Sequence, residues 1–281
     1  MAAEVRAPAD GHETDVLARL AAYALPGAKP VLSAQPLSAR VWESTVAIAD
    51  QEHLSGLLAA AVRDGALPVT DEQRSHVLAL QVWRTRVTLA LEALLVETVE
   101  VLTSCGIDYR VLKGSSVAQL DYADPSLRSF NDVDLLVPTA HFDRAMDVLI
   151  AAGCVRVSPQ VQDGFDRRFG KGATLWSADG FEIDLHRTLA RGPLGHTVRL
   201  DDLWTEPARF VLGDRELLAL PLEQRFLSVC CHAVLGGIPA RLWCLRDVAQ
   251  LMVDDRLDHE RVRHLASTWR ATAVLARAVT L

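Results

Sequence analysis

Two aspartates separated by one residue, Asp132 and Asp134, head the apolar run Val133, Leu135, Leu136 and Val137. In a strand, residues i and i+2 share a face, so both carboxylates point to one side of a segment that reads as buried. Neighbouring buried carboxylates repel each other and lose hydration, and a divalent cation is the simplest remedy. A third acid in the same setting, Asp184 of Phe181-Glu182-Ile183-Asp184-Leu185-His186, follows fifty residues after Asp134. If its strand lies beside the first, three carboxylates converge. Mg²⁺ prefers oxygen ligands and completes its shell with water and substrate phosphates, so Asp132, Asp134 and Asp184 are the expected ligands of Mg²⁺ (or Mn²⁺). Asp184 would sit on the acceptor side, where a carboxylate can help deprotonate an attacking hydroxyl.

Ahead of these acids lies Leu112-Lys113-Gly114-Ser115-Ser116. A small turn at a helix start offers backbone N–H groups and the positive end of the helix dipole to an anion, so Gly114 and Ser115 are expected to hold a phosphate. Lys113 and Arg128 would neutralise further phosphate charge, Arg by a two-pronged contact and Lys as a point charge. The plainer alternative for both is a salt bridge with Asp121, Asp124 or another acid at the edge of the core. His186 shares a face with Asp184 and reads as a hydrogen-bonded structural histidine or a neighbour of the metal site. Together these parts describe phosphoryl or nucleotidyl transfer.

The elements that must position them alternate short β-like runs with helices. Tyr109 to Leu112 reads as a strand, Ser115 to Leu120 as a helix, Val133 to Val137 as a strand ended by Pro138, and Thr139 as the cap of a helix closed by Gly153. Val155 to Val157 is a candidate third strand. Thr174 to Ser177 and Phe181 to Leu185 form an expected hairpin around Asp179-Gly180, since Asp-Gly supplies the positive φ of a tight turn. On the N-terminal side, Thr14 to Ala24 reads as a short helix, and Trp42, Val46, Leu54, Leu57, Leu58, Ala61 and Val62 give helical spacing. Thr70 with Gln73 has the form of a capping box. It opens a long helix with Leu80, Trp83, Val87, Leu91, Leu95, Val99 and Leu102 on an expected core stripe. From Pro221 onward the pattern is helical again. The expectation is an α+β fold: a small mixed β-sheet core flanked by N-terminal and C-terminal helices, with a variable segment at 1–38, a helical region at 39–105, the α/β core at 106–215 and a C-terminal helical region at 216–281.

The Gly-Ser turn, the Asp-x-Asp strand and the later Asp, in that order, resemble the DNA polymerase beta-like nucleotidyltransferase superfamily. The fuller pattern adds Leu-Lys-Gly-Ser at 112–115, Arg-Ser-Phe-Asn-Asp-Val-Asp-Leu-Leu-Val at 128–137, Glu-Ile-Asp-Leu-His at 182–186 and Trp-Cys-Leu-Arg-Asp-Val-Ala at 243–249. It resembles a bacterial branch described as uncharacterised nucleotidyltransferases. The resemblance spans about Leu80 to Met252. It implies a nucleoside triphosphate, ATP among the candidates, as co-substrate held at Gly114 and Ser115, with metal on Asp132, Asp134 and Asp184. An acceptor hydroxyl would attack the α-phosphate and pyrophosphate would leave. The gap from Ser115 to Asp132 is longer than in typical superfamily members, and Lys113 before the glycine is a feature of this branch.

Composition narrows the partners. Half of the 281 residues are hydrophobic, enough for a real core. The net charge of -7 disfavours long nucleic acid, whose binding requires clustered Lys and Arg; the expected partners are a nucleoside triphosphate and an unknown small-molecule or protein/peptide acceptor. No signal-like run at the N-terminus and no uncharged stretch of membrane-spanning length are seen, so a cytoplasmic protein without membrane contact is expected. The five cysteines include no C-x-x-C pair, and Cys230-Cys231 read as packing. Arg246 and Asp247 are candidates to reach the cleft from the C-terminal helices, and Arg167 to Lys171 suits a basic flap. A small-molecule kinase lacks the downstream Asn and a Gly-rich loop. A catalytically silent nucleotide- or partner-binding module on the same scaffold is the non-enzymatic alternative, against which the retention of all three acids counts.

Overall fold

The structure, a computed structural model, describes residues 11–28 and 31–281. The N-terminal stretch in which no signal-like run is read, residues 1–10, lies outside them. The chain divides into two compact units, 1–84 and 85–281.

The first unit is helical: α1 (Gly11–Ala22), α2 (Ala39–Gln51), α3 (Ser55–Arg63) and the first part of α4 (Asp71–Ser104). The expected capping box forms reciprocally, the Thr70 N–H donating to Gln73 Oε1 at 3.1 Å and the Gln73 N–H to Thr70 Oγ1 at 3.2 Å. One expectation fails on α4. Trp83 is 59 % exposed. The inward stripe runs through Gln73 and Val77 and emerges again at Leu91, Leu95, Val99 and Leu102; at 100° per residue Trp83 falls one position off it.

The second unit is built on a seven-stranded sheet among the described residues, in the order β3-β4-β5-β2-β1-β7-β6. The chain runs through β1 (Arg110–Val111), α5 (Gly114–Asp121), β2 (Asp132–Leu136), α6 (Phe142–Ala151), β3 (Val155–Arg156), α7 (Phe165–Arg168), β4 (Gly172–Trp176), β5 (Glu182–His186), α8 (Gly192–Thr197), β6 (Ala208–Leu212) and β7 (Arg215–Ala219). Helices α9 (Leu222–Leu235), α10 (Leu242–Met252), α11 (His259–Thr268) and α12 (Thr272–Ala278) follow, with α10, α11 and α12 packing on α9. This is the expected α+β class. The sheet is mixed: β2 runs parallel to β5 and β1 parallel to β7, the other pairs being antiparallel. Strand β7 crosses the 215–216 boundary expected between core and C-terminal helices. The hairpin β6–β7 was not among the expected strands: its arms carry Arg and Glu among apolar residues, although Gly213-Asp214 between them is a tight-turn pair.

Alternation gives the sheet two different faces. Val133 and Leu135 of β2, Ile183 and Leu185 of β5 and Leu175 of β4 join Leu91, Leu95, Val99 and Leu102 of α4 and Phe142, Met146 and Leu149 of α6 in one apolar cluster. At about 25 cal/mol per Å² of apolar surface, this cluster pins the register of the strands. The residues between them, Asp132, Asp134, Glu182, Asp184 and His186, therefore have to point the other way. Among the described residues no helix is long and apolar enough to cross a membrane.

Candidate functional site

The parallel register places Asp132 opposite Glu182, Asp134 opposite Asp184 and Leu136 opposite His186. Oxygens of Asp132, Glu182 and Asp184 lie within 4.8 Å of one another, as do the ligand atoms of Asp134, Asp184 and His186. The three predicted acids thus share one patch of the sheet, with Glu182 and His186 beside them. Thr174 of β4 donates its hydroxyl to Asp184 Oδ1 at 2.5 Å, which orients that carboxylate.

Two groups compensate Asp134. Lys113 Nζ lies 2.7 Å from Asp134 Oδ1, and His186 Nε2 lies 2.7 Å from the same oxygen. Burial opposes ionisation of Asp134, but the attraction of Lys113 and the bond from His186 outweigh it and hold the carboxyl well below its usual range. Lys113 responds in kind: burial pulls its ammonium down, the charges of Asp134 and Asp132 pull harder, and the net shift is upward. Asp132 is treated differently. Burial, then repulsion from Asp134, pushes its carboxyl up to about 7, and Lys113 only partly offsets this. Burial, aided by repulsion from Lys171, drives His186 down to about 4 despite its bond to Asp134, so the imidazole is neutral near pH 7.

The Lys113–Gly114 turn is a backbone feature. Lys113 has φ +38° and Gly114 φ +26°, a left-handed region that costs a residue with a side chain of order 1 kcal/mol or more. Space does not demand the glycine, since a Cβ there would meet Phe130 at 3.5 Å, an ordinary contact; conformation does. The turn sends Lys113 toward Asp134 and starts α5, whose first residues include Ser115. That hydroxyl is buried, with 4 % of the residue exposed, and its Oγ has no hydrogen-bond partner among the described residues.

Arg128 lies in a different setting. Its Nε donates to Asp247 Oδ1 at 3.0 Å and its Nη2 to Asp247 Oδ2 at 2.7 Å, while the Tyr122 hydroxyl donates to Asp247 Oδ1 at 3.0 Å. The guanidinium also stacks 5.3 Å from the Trp243 ring centre. Its field reaches Asp132, but its Nε and Nη2 are spent on Asp247 of α10 and its Nη1 on the Ser129 carbonyl at 3.3 Å. The salt-bridge alternative weighed for Arg128 is realised with an acid 119 positions away. Asp247 and Arg246 are accordingly buried in the helical packing, Arg246 donating to Gln250 Oε1 at 2.8 Å.

Several residues at the site were not singled out from sequence, or only loosely. Lys113, Asp132 and Asp184 line a cleft of about 190 Å³ together with Lys171, Arg191, Cys231 and His232. Burial, and then Lys113, push the Lys171 ammonium down to about 8. Burial drives His232 to about 3, and its ring packs 4.9 Å from Trp243. Burial lifts the Cys231 thiol to about 12, in keeping with inert packing. The Arg167 to Lys171 stretch is tied down by Arg187, whose Nε donates to the Gly170 carbonyl at 2.7 Å and whose Nη2 donates to that of Arg168 at 3.2 Å. Glu182 could have been read from the alternation Glu-Ile-Asp-Leu-His. Lys171 belongs to the basic stretch 167–171 read as a flap, whereas Arg191 carries no local signal.

Residues 38–281 match the sequence profile of a family described as uncharacterised nucleotidyltransferase. The chain belongs to that family. It is the branch that the ordered motifs resemble, and the pattern is consistent with the DNA polymerase beta-like superfamily. Solved structures with a similar course include ANT(2")-Ia in complex with adenylyl-2"-tobramycin, at TM-score 0.47 and 13% identity over 65% of this chain and 98% of that one. The lincomycin-bound lincosamide antibiotic adenylyltransferase LnuA overlaps at TM-score 0.33 and 11% identity, over 62% and 92%. An antigenic nucleotidyltransferase-like protein from Paracoccidioides brasiliensis does so at 0.36 and 15%, over 69% and 92%. At this level of overlap they bear on neither substrate nor residue roles. A search of curated proteins finds no match. Transfer of a nucleoside monophosphate is the activity that the family's description names in general terms.

Proposed function

We propose that this nucleotidyltransferase is Mg²⁺- (or Mn²⁺-) dependent and moves a nucleoside monophosphate from a nucleoside triphosphate to a hydroxyl of a small-molecule or protein/peptide acceptor, releasing pyrophosphate. The observation that carries this reading is the convergence of Asp132, Asp134 and Asp184 on adjacent parallel strands, where Asp184 joins two clusters of ligand atoms within 4.8 Å of one another, one with Asp132 and Glu182 and the other with Asp134 and His186. The donor set suits a hard divalent ion, and the raised carboxyl of Asp132 marks acid charge that Lys113 and Arg128 do not fully balance. Asp132, Asp134 and Asp184 would hold the metal, with Glu182 and His186 within reach. Bound there, such an ion supplies neutralisation of phosphate charge and a lowered acceptor pKa.

The chain's own groups supply the rest. The start of α5 presents backbone N–H groups and the unpartnered Ser115 hydroxyl to the triphosphate. Lys113, locked on Asp134, keeps that carboxylate ionised and adds positive charge to the floor of the cleft. Asp184, oriented by Thr174, accepts the acceptor's proton as its oxygen forms the new bond to the α-phosphorus. The bond from that phosphorus to the α,β-bridging oxygen breaks, and pyrophosphate departs with the electron pair.

A second reading, a silent nucleotide-binding module, draws on the Lys113–Asp134 ion pair, which already neutralises one of the acids. Incubation with each α-labelled triphosphate and Mg²⁺, with and without cell extract, separates the two. The transferase reading expects label in a product and pyrophosphate release, both falling about a thousandfold or more in Asp132→Asn, as for loss of several kcal/mol of charge stabilisation. Triphosphate binding with no label in any product would leave the silent module standing. Equal labelling by the Asn variant would remove the metal assignment.

A further inference from the structure

A second, larger cleft of about 310 Å³ opens on the β4/β5 side of the carboxylates, lined among others by Phe169, Lys171, Thr174, Asp184, His186 and Arg191. Sheet order fixes its relation to the candidate phosphate site. In β4-β5-β2-β1 the start of α5 follows β1 on one flank of Asp132 and Asp134, while β4 and β5 form the other flank. In-line displacement at phosphorus puts nucleophile and leaving group on opposite sides. With pyrophosphate held at Ser115, the hydroxyl has to arrive from the flank of Asp184, which is where this cleft lies.

The charge of the cleft is distinctive. Its acidic and basic side chains other than His186 are Lys171, Arg191 and Asp184, and in the proposed function Asp184 is committed to the metal. Among the described residues neither the Lys171 ammonium nor the Arg191 guanidinium forms an ion pair or a hydrogen bond, although Asp134 and Asp184 attract Lys171 from a distance. Lys171 is held in place by its backbone, its carbonyl accepting from the Arg187 N–H at 2.9 Å, beside the two carbonyls that the Arg187 side chain ties. The lip is aromatic: Phe169 is 55 % exposed, its ring centre 5.5 Å from that of Phe165 and 6.5 Å from that of His196. Such a ring offers a flat apolar surface to a ligand. A volume of this size matches a small molecule at the lower end of the usual range.

We infer that the β4/β5 cleft is the acceptor site, and that it selects small hydroxyl compounds carrying an anionic group, carboxylate or phosphate, which Lys171 and Arg191 bind while Phe169 covers the apolar part. This rests on the transferase reading above. An amine-bearing acceptor would instead face two unneutralised cations, a like-charge arrangement that selects against it.

The test uses the full-length protein with Mg²⁺ and α-labelled triphosphates. A deproteinised small-molecule extract of bacterial cells is first divided by ion exchange into anion-retained, cation-retained and neutral pools, and each pool is offered separately. Label is expected in products from the anion-retained pool. Phosphatase treatment of that pool beforehand tells the sources apart, loss of labelling marking a phosphate and persistence a carboxylate. Arg191 is exposed, so Arg191→Glu is a substitution the fold can accept. It is expected to raise KM for the anionic acceptor at least tenfold, and by more than KM for the triphosphate, since Arg191 also borders the smaller cleft. Labelling confined to the cation-retained or neutral pool overturns the inference and leaves the transferase reading intact. So does a variant whose triphosphate KM rises instead, which would assign the cations to the nucleotide. Absence of label from every pool, with no pyrophosphate released, defeats the transferase reading itself.

Discussion

The stretch from Asp121 to Asp134 supplies buried charge to two neighbouring regions, and they are built on opposite principles. On the helical side two buried guanidiniums each meet a carboxylate through two nitrogens. Arg128 meets Asp247 through two donors, and Arg225 meets Asp121 through its Nε at 3.0 Å and its Nη2 at 2.6 Å, with its third nitrogen on the Leu220 carbonyl at 2.6 Å. On the sheet side Asp132, Asp134, Glu182 and Asp184 crowd together with Lys113, among the described residues, as the one cation bonded to them, and Asp132 is pushed up to about 7. Balanced pairs are what a chain keeps for holding helices to a sheet. An unbalanced cluster costs stability unless something else supplies positive charge, and that is the physical mark of a binding site.

Breaking the balanced region should produce the largest loss of stability. Asp247→Ala leaves Arg128 buried without a counter-charge and frees the Tyr122 hydroxyl, so a loss of about 3–5 kcal/mol is expected, read as a drop in denaturant midpoint at unchanged slope. Replacing Arg128 and Asp247 together by apolar residues of similar volume should recover most of it. Recovery would show that the penalty belongs to the orphaned charge; a double variant as unstable as the single one would show that the pair itself is what binds α10 to the 121–134 segment.

The unbalanced cluster should respond with the opposite sign. Among the described residues Asp132 forms no side-chain hydrogen bond, and its carboxylate neighbours repel it with only partial relief from Lys113 and Arg128. In metal-free protein at pH 8, Asp132→Asn is therefore expected to stabilise by about 1–2 kcal/mol, which raises Tm by about 2–8 °C for a unit of this size, while transfer is lost. Unchanged or lowered Tm would mean that the acids are already balanced.

The pH dependence of that gain follows from linkage. Asp132 has a folded value of about 7 against about 3.9 unfolded, so between these limits the native state holds more protons and this group removes stability as pH rises. His186 and His232, lowered to about 4 and 3, act in the opposite direction below about 6.5. Asp134, depressed, contributes stability that is lost only as pH falls below the usual carboxylate range. Total stability consequently mixes signs, but the difference between Asp132→Asn and the parent isolates one group. It should be near zero at pH 4, grow to pH 7 and level off above. A difference that stays flat from pH 4 to 8 would contradict the raised carboxyl.

The contrast between the regions also explains what the sequence discloses. Asp132, Asp134 and Asp184 stood out because period-two alternation with Val133, Leu135, Ile183 and Leu185 ties each acid to a face that burial of its neighbours fixes. Their proximity then needed only β2 and β5 to be adjacent, as they are. The α+β class was readable for the same reason, through local periods. Arg128 was ambiguous because its partner is chosen by tertiary packing: Asp247 lies on an amphipathic helix where it looks like any surface acid. Lys171 and Arg191 reach the cleft from the segments flanking β4 and β5; the basic run 167–171 hinted at Lys171, but nothing in the neighbours of Arg191 distinguishes it from a solvated loop charge. Trp83 misled because an aromatic within one residue of a core stripe looks internal, although a 100° step takes it to the surface.

The finest test of the contrast is a residue where stability and binding should separate. Ser115 is buried, yet its Oγ has no partner, an unmade bond that a merely structural hydroxyl would have no reason to leave. Removing an unsatisfied buried hydroxyl costs the fold little, so Ser115→Ala should move unfolding free energy by no more than about 0.5 kcal/mol, in either direction. If that hydroxyl instead donates to a triphosphate oxygen, the substitution removes a bond to a charged group worth about 1.5–3 kcal/mol, and KM for the triphosphate should rise about tenfold or more. Thermal unfolding and steady-state kinetics on one variant measure both numbers. A large stability loss with unchanged KM would place Ser115 among the balanced, structural groups, and the α5 start would cease to be the phosphate side of the cleft.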